Sequence, residues 1–290
     1  MSRFEYHEPA SVADAVGLAA RYGDEGRFLA GGTDLLVQIE RGRLAPRHVI
    51  GLHRLSGLSA LETNGTISVG ARVTHRAVER AGAFEGRLQA LIEGARVIGG
   101  HQVRNVATVG GNIVNASPAA DLVPVLLTLD AAVHLVGPEG ERQVSLDAFL
   151  VGPGRTALRP GELLTRVTMP SPPPSSTTAF LKAGRRKAME ISVVCVAARL
   201  TLDARRERCL QARIALGAVA PTAVRARAAE RALEGEPLEP VRLRHAAEVA
   251  LLACDPIGDV RASARFRRHL VVVLVQRTLE ACVARAREAA

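Results

Sequence analysis

The sequence predicts an α+β protein of three successive units, and three features predict it. The first ~55 residues alternate short apolar runs with segments of helical apolar spacing. A proline–serine stretch, PSPPPSS, then separates the first two thirds from the last, since consecutive prolines fit neither a helix interior nor a central strand. The final third runs through long strand-like segments and then turns helical. The division is residues 1–55, a small α/β unit; 56–170, a larger α+β unit; 171–177, a linker; and 178–290, a C-terminal unit of a three-stranded antiparallel sheet and three helices.

Within the first unit, SVADAVGLAARYG has helical spacing, and Ser11 with Asp14 makes a capping pattern at its start. RFLA reads as a short strand ending at Gly31-Gly32, DLLVQIERG as a helix stopped at Gly42, and HVIGL as a second buried strand. In the second unit, GTISVGARVTH alternates as a strand and RLQALIEGARVIG is helical. The run LLTLDAAVHLVGPEGERQVSL reads as two strands joined across Gly137-Pro138-Glu139-Gly140, and GELLTRVTMP as another strand. The last unit offers TAFLKAGRR, ISVVCVAARLTLDA and CLQARIALGAVA as strands, followed by three arginine-decorated helices. Those helices suit either partner contact or a solvated face.

Composition excludes several classes. The net charge is +9, but the arginines are scattered, aromatic residues are only 3% and there is no Trp, so platforms for stacking bases are scarce and no nucleic-acid partner is expected. Cys195, Cys209, Cys254 and Cys282 are widely spaced, which predicts free, partly buried thiols rather than a metal site or a disulfide framework. No apolar run reaches the ~18 residues of a membrane helix. The start, MSRFEYHEPA, has no apolar signal-peptide core, so a cytoplasmic protein without a membrane span is expected. The basic residues are 36 Arg and 2 Lys. A GC-rich genome accounts for the bias, and it makes Lys182 and Lys187, both in FLKAGRRKAMEI, stand out as positions where arginine does not substitute.

Two glycine corners carry the chemistry. The first, AGGTDLL, lies on a strand–loop–helix corner. The second, NVATVGGNIVNASPAAD, has a strand-like VATV, then Gly110-Gly111-Asn112, then Asn115, Ser117 and Asp121. Glycines let a backbone approach a ligand, and successive N–H groups form a nest for an anion. Small polar side chains bond sugar or polyol hydroxyls. Taken singly, the first loop is also a tight turn with Thr33 or Asp34 capping the next helix, and the second an ordinary turn. Taken together they suit a pyrophosphate held between two subdomains, next to a helix start. Neither is a Rossmann fingerprint or a triphosphate loop.

LAGGTDLL with QVRNVATVGGNIVNASPAADLVPVLLTLDA resembles the FAD-binding subunit of molybdenum hydroxylases, the family of xanthine dehydrogenase flavin subunits and the medium subunit of aerobic carbon monoxide dehydrogenase. FLKAGRRKAMEISVVCVAARL, GAVAPTAVRARAAERAL and RASARFRRHLVVVLVQRTLEA extend the similarity over nearly the whole chain. The resemblance implies the vanillyl-alcohol-oxidase/PCMH-type two-subdomain FAD-binding fold. By similarity the cofactor contacts are Phe28, Leu29, Ala30, Gly31, Gly32, Thr33, Asp34 and Leu35; then Ile98; then Thr108, Val109, Gly110, Gly111, Asn112, Asn115 and Asp121; then Leu164 and Lys182. Lys182 would place a cation near the isoalloxazine and tune its potential, with Arg185 and Arg186 either adding to that field or decorating a solvated edge.

The resemblance further implies a division of labour. Molybdopterin would sit in a large subunit and two [2Fe-2S] clusters in a small one, in a dimer of heterotrimers. FAD here would pass electrons to NAD⁺, a quinone or O₂. No catalytic residue beyond the flavin and no metal are expected in this chain. Some relatives carry a tyrosine where this sequence has Ile191 after Glu190; an aliphatic residue leaves the flavin face open and favours a nicotinamide acceptor. Alternatives are a stand-alone FAD oxidoreductase of the same fold and a cofactor-free assembly module. His75 and His101, single histidines near the second unit, read as structural polar groups.

Overall fold

Parallel strands need a crossover between them, and the first unit supplies two. A computed structural model describes residues 3–186 and 188–288; Lys187 lies outside the described residues. Strands β1 (Glu5–His7), β2 (Gly26–Leu29) and β3 (His48–Gly51) form a parallel sheet in the order β1-β3-β2. Helix α1 (Val12–Tyr22) connects β1 to β2, and α2 (Leu35–Glu40) connects β2 to β3. The Ser11 Oγ caps α1 by accepting from the Asp14 N–H at 3.0 Å. Ala15, Val16 and Ala19 bury one stripe of α1 in a cluster with Ile50 of β3 and Leu52 just after it. Gly42, at φ +68°, ends the α2 segment in a conformation glycine adopts freely.

The second sheet is antiparallel, in the order β4-β5-β10-β6-β7. Its strands are β4 (Leu61–Glu62), β5 (Ile67–Gly70), β6 (Ala132–Gly137), β7 (Gly140–Ser145) and β10 (Leu163–Met169). The β6–β7 hairpin turns across Pro138-Glu139, with Gly140 at φ +110°. Inward residues such as Val133, Leu135 and Val167 share a core with Leu91 of α4 (Gln89–Arg96) and Leu122 and Leu126 of α7 (Leu122–Thr128). Between these elements lie α3 (His75–Glu79), α5 (His101–Val106) and α6 (Val109–Val114). Helix α8 (Leu146–Phe149) and the small hairpin β8 (Leu150–Gly152)–β9 (Arg155–Thr156) follow β7.

VATV is not a strand. Val106 closes α5, Ala107 is extended, and Thr108 caps α6 by accepting from the Gly111 N–H at 3.1 Å. The β-branched spelling suggested a strand, but a threonine three residues before the acceptor-seeking Gly111 N–H makes a helix start instead.

The C-terminal sheet is antiparallel, in the order β11-β12-β13-β14. It comprises β11 (Ser176–Ala183), β12 (Val194–Leu202), β13 (Cys209–Gly217) and β14 (Val224–Arg225). The expected three strands are thus four; β14 is a two-residue edge after Pro221, too short to leave a periodic signal. Helices α9 (Arg227–Leu233), α10 (Pro240–Val249) and α11 (Ala264–Glu288) follow. Every residue of β12 is buried, because α11 packs on the sheet from one side and α7 from the other. The core is therefore continuous from the second sheet into the third, with Phe180, Cys195 and Ala197 in the same cluster as Leu122. Among the described residues no helix is long and apolar enough to cross a membrane. All four cysteines are free; burial pushes the Cys209 and Cys282 thiols up to about 12 and that of Cys254 to about 11.

Candidate functional site

The corner after β2 and the start of α6 face each other across a cleft of about 640 Å³. The first corner lines it with Phe28, Ala30, Gly31, Gly32, Thr33, Asp34 and Leu35; the second unit adds Ile98, Thr108, Gly110, Gly111, Asn112, Asn115 and Leu164. Of the residues the resemblance implied, Leu29, Val109, Asp121 and Lys182 are not part of this lining. Val109 is buried in the core instead, and Leu29 closes β2.

The two corners are chemically different. Gly32 has φ +74°, and among the described residues the N–H groups of Gly32, Thr33 and Asp34 donate to no protein acceptor. Three consecutive unengaged N–H groups make a nest for an anion. Asp34 occupies the N-cap position of α2 without capping it through its side chain, and burial raises its carboxyl although the residue is largely exposed. In the second corner the donors are already satisfied. Val109 N–H donates to Val73 O and Gly110 N–H to Ala71 O, both at 2.9 Å, while Thr108 Oγ1 takes the Gly111 N–H. This corner offers side-chain amides, not a backbone nest.

The glycines themselves serve chain packing as much as ligand approach. A Cβ on Gly31 would stand 2.0 Å from Val106 O, and one on Gly110 would stand 2.7 Å from the Ala71 Cβ. The two jaws touch at Gly31, and Gly110 packs the second corner onto the chain after β5; only glycine allows either approach.

Buried polar atoms in the lining test what the cleft suits. Asn112 Oδ1 and His75 Nδ1 are buried and have no partner. A buried unsatisfied atom is costly, and both residues stand in the cleft wall with these two atoms turned away from solvent. Burial, reinforced by the Arg104 charge, pushes His75 down to about 4 and keeps it neutral near pH 7. Arg72 adds a cation beside the two corners; Glu162 adds an acid, but Arg142 grips both its oxygens at 2.6 and 2.7 Å and holds its carboxyl low. A phosphate nest, a nearby arginine, the Asn112 and Asn115 side chains and the apolar Ile98 and Leu164 together fit FAD.

Sequence reasoning missed Arg72 and passed over His75 as a cofactor-side group. The signal was present in GARVTH: both residues follow the end of β5, where the chain leaves the sheet beside the first corner.

Asp121 and Lys182 form a buried pair behind the cleft. Lys182 Nζ donates to Asp121 Oδ2 at 2.7 Å, to Glu190 O at 2.8 Å and to Val97 O at 3.3 Å. Ser192 Oγ donates to the other carboxylate oxygen. Burial pushes the Asp121 carboxyl up, against the opposing pull of Lys182. Arg104 bonds Ile98 O at 3.1 Å, so the Val97–Ile98 wall is held from two sides. Arg185 and Arg186 are exposed and lie 3.5 and 3.1 Å from the Glu190 carboxylate, the geometry of a solvated, neutralised edge.

A glycine-cornered dinucleotide cleft between two subdomains, with a third unit packed behind it, defines a flavin-binding subunit. Residues 2–172 match the model of the FAD-binding domain in molybdopterin dehydrogenase, and residues 179–282 that of the CO dehydrogenase flavoprotein C-terminal domain. The chain is 34% identical over 284 residues to the xanthine dehydrogenase FAD-binding subunit of Escherichia coli O157:H7, covering 97% of this chain and 96% of that one. It is 34% identical over 286 residues to the carbon monoxide dehydrogenase medium chain of Afipia carboxidovorans, covering 98% of each. The structure of reconstituted CO dehydrogenase from Oligotropha carboxidovorans contains a chain that superposes with a TM-score of 0.93 at 33% identity, covering 98% of this chain and 99% of that one. The chain belongs to the FAD-binding subunits of the molybdenum hydroxylases, the xanthine and carbon monoxide dehydrogenase family.

Proposed function

We propose that the chain is the electron-transfer subunit of a complex in which a large molybdopterin subunit oxidises substrate and a small subunit carries two [2Fe-2S] clusters, assembled as a dimer of heterotrimers in the cytoplasm. The full-length likeness to proteins named as medium chains and FAD-binding subunits carries the reading. Bound FAD supplies two-electron chemistry together with the ability to take electrons singly.

Each group of residues has a part in holding that cofactor. Gly32, Thr33 and Asp34 direct backbone N–H groups at the pyrophosphate, with Arg72 adding charge. Asn112 and Asn115 bond its hydroxyls or ring edges, neutral His75 supports the wall behind them, and Ile98 and Leu164 exclude water from it. Asp121 and Lys182 act through the wall they brace: Lys182 fixes the Val97 carbonyl beside Ile98. Because Asp121 neutralises it at 2.7 Å, Lys182 contributes less field than a lone cation.

Among acceptors, NAD⁺ is favoured. Ile191 and Met189, 50% and 55% exposed, leave the neighbouring loop without an aromatic cover. The protein purified untagged from its own cells is expected to carry molybdenum and about four irons per FAD, as two [2Fe-2S] clusters require. A chain that purifies alone and turns over substrate by itself overturns the reading. NADH is expected to bleach the flavin of the complex; a flavin inert to NADH rejects the acceptor assignment alone.

A further inference from the structure

We infer that Glu5, His7 and His48 form a binding site for a divalent transition-metal ion of the zinc type, separate from the flavin cleft. Glu5 and His7 stand two apart on β1 and share a face, and His48 is the register partner of Glu5 on β3. Their ligand atoms converge. His7 Nε2 lies 3.1 Å from His48 Nδ1, Glu5 Oε2 lies 3.3 Å from His48 Nδ1, and the third side of the triangle, Glu5 Oε2 to His7 Nε2, is 3.8 Å. A tetrahedral ion about 2.0–2.1 Å from each donor separates its ligands by roughly 3.3–3.4 Å. The triangle already has that size, so binding needs only small side-chain adjustments.

The rings are also held in place. Tyr22, the last residue of α1, stacks on His48 with centroids 3.6 Å apart and on His7 at 4.9 Å. The His side chains are 14% and 18% exposed and Glu5 is 65% exposed, which leaves the fourth position open to water. Two imidazoles and one carboxylate select zinc, cobalt, nickel or copper over magnesium or calcium, which prefer all-oxygen sites. Ligation uses the tautomers protonated at His7 Nδ1 and His48 Nε2, replacing the direct hydrogen bond between the rings.

The site lies at the opposite end of the parallel sheet from the glycine corner and its cleft. His48 pairs with Gly26, the first residue of β2, whereas the glycine corner follows Leu29, the last. None of the three ligands lines the cleft. A bound ion would clamp β1 to β3 beside the end of α1 without touching the flavin.

The test is equilibrium dialysis of the untagged, FAD-loaded full chain against Zn²⁺, with Mg²⁺ as the comparison and metal counted by mass spectrometry. One Zn²⁺ per chain and no Mg²⁺ are expected, with a Zn²⁺-dependent rise in melting temperature. His7→Ala and His48→Ala are expected to weaken zinc by at least about tenfold, a loss that even an outer-shell partner produces. Glu5→Gln, at an exposed side chain, should weaken it too while leaving packing intact, and all three variants should keep full FAD. Failure of the wild-type chain to bind zinc overturns the site. So does stoichiometric zinc whose affinity Glu5→Gln and the folded histidine variant leave unchanged.

Discussion

Lys182 Nζ donates to Asp121 Oδ2 at 2.7 Å, joining the C-terminal sheet to the start of α7 through side chains only 11% and 7% exposed. Removing one partner strands the other. Lys182→Met is expected to destabilise the chain by about 3–5 kcal/mol, the usual cost of leaving a buried charge unpaired. Adding Asp121→Asn to that variant should recover part of the loss. Urea denaturation of the single and double variants checks it; single-variant losses below about 1 kcal/mol would place the pair with ordinary surface contacts.

Gly31→Ala puts a methyl where Val106 O already stands, 2.0 Å away. The two corners must then separate, and FAD affinity is expected to fall by at least tenfold, about 1.4 kcal/mol. Gly57, where an added methyl would meet nothing within 4 Å and φ is not positive, is the control. Gly57→Ala should leave cofactor content unchanged and stability within about 0.5 kcal/mol. Fluorescence titration with FAD compares the cofactor affinities, and urea denaturation the stabilities.

Asn112 Oδ1 is buried without a partner. Asn112 also lines the cleft, and Asn112→Ala is expected to weaken FAD by about 1–3 kcal/mol, the cost of leaving a buried polar group unsatisfied. The cofactor-free chain should not lose comparable stability, because no protein bond to Oδ1 is broken. Equal losses in both measurements would make Asn112 a structural residue.

His75 sets a pH dependence. Burial lowers it from 6.5 to about 4, so below pH 6.5 the unfolded chain takes up a proton that the folded chain refuses. Its contribution to stability is constant above pH 6.5 and falls as the pH drops toward 4, by up to about 3 kcal/mol. Denaturation curves of wild type and His75→Gln across this window should converge in acid. Parallel curves would show that His75 is not held neutral.

Much of this architecture was legible from residue pattern. The α1 cap at Ser11, the β6–β7 hairpin across Pro138-Glu139 and the long strands β11, β12 and β13 all carry local signals. Where the pattern misled, tertiary contacts decided. VATV has strand-like residues, but Thr108 caps a helix, and the N–H groups of Val109 and Gly110 find acceptors on Val73 and Ala71. The meeting of Lys182 with Asp121 spans 61 residues and leaves no periodic trace. The same holds for the convergence of Arg72 and His75 on the cleft, which depends on how two units pack.

The Gly32–Asp34 nest is proposed to hold a pyrophosphate, and the most direct measurement compares FAD with riboflavin, which has the same ring and lacks the pyrophosphate and adenosine. Titrating the cofactor-stripped chain with each should show one FAD bound per chain and riboflavin bound at least a hundredfold more weakly, a difference of about 2.7 kcal/mol. In Gly31→Ala that gap should narrow. Equal affinities for the two flavins, or a chain that takes up no FAD, would contradict the account.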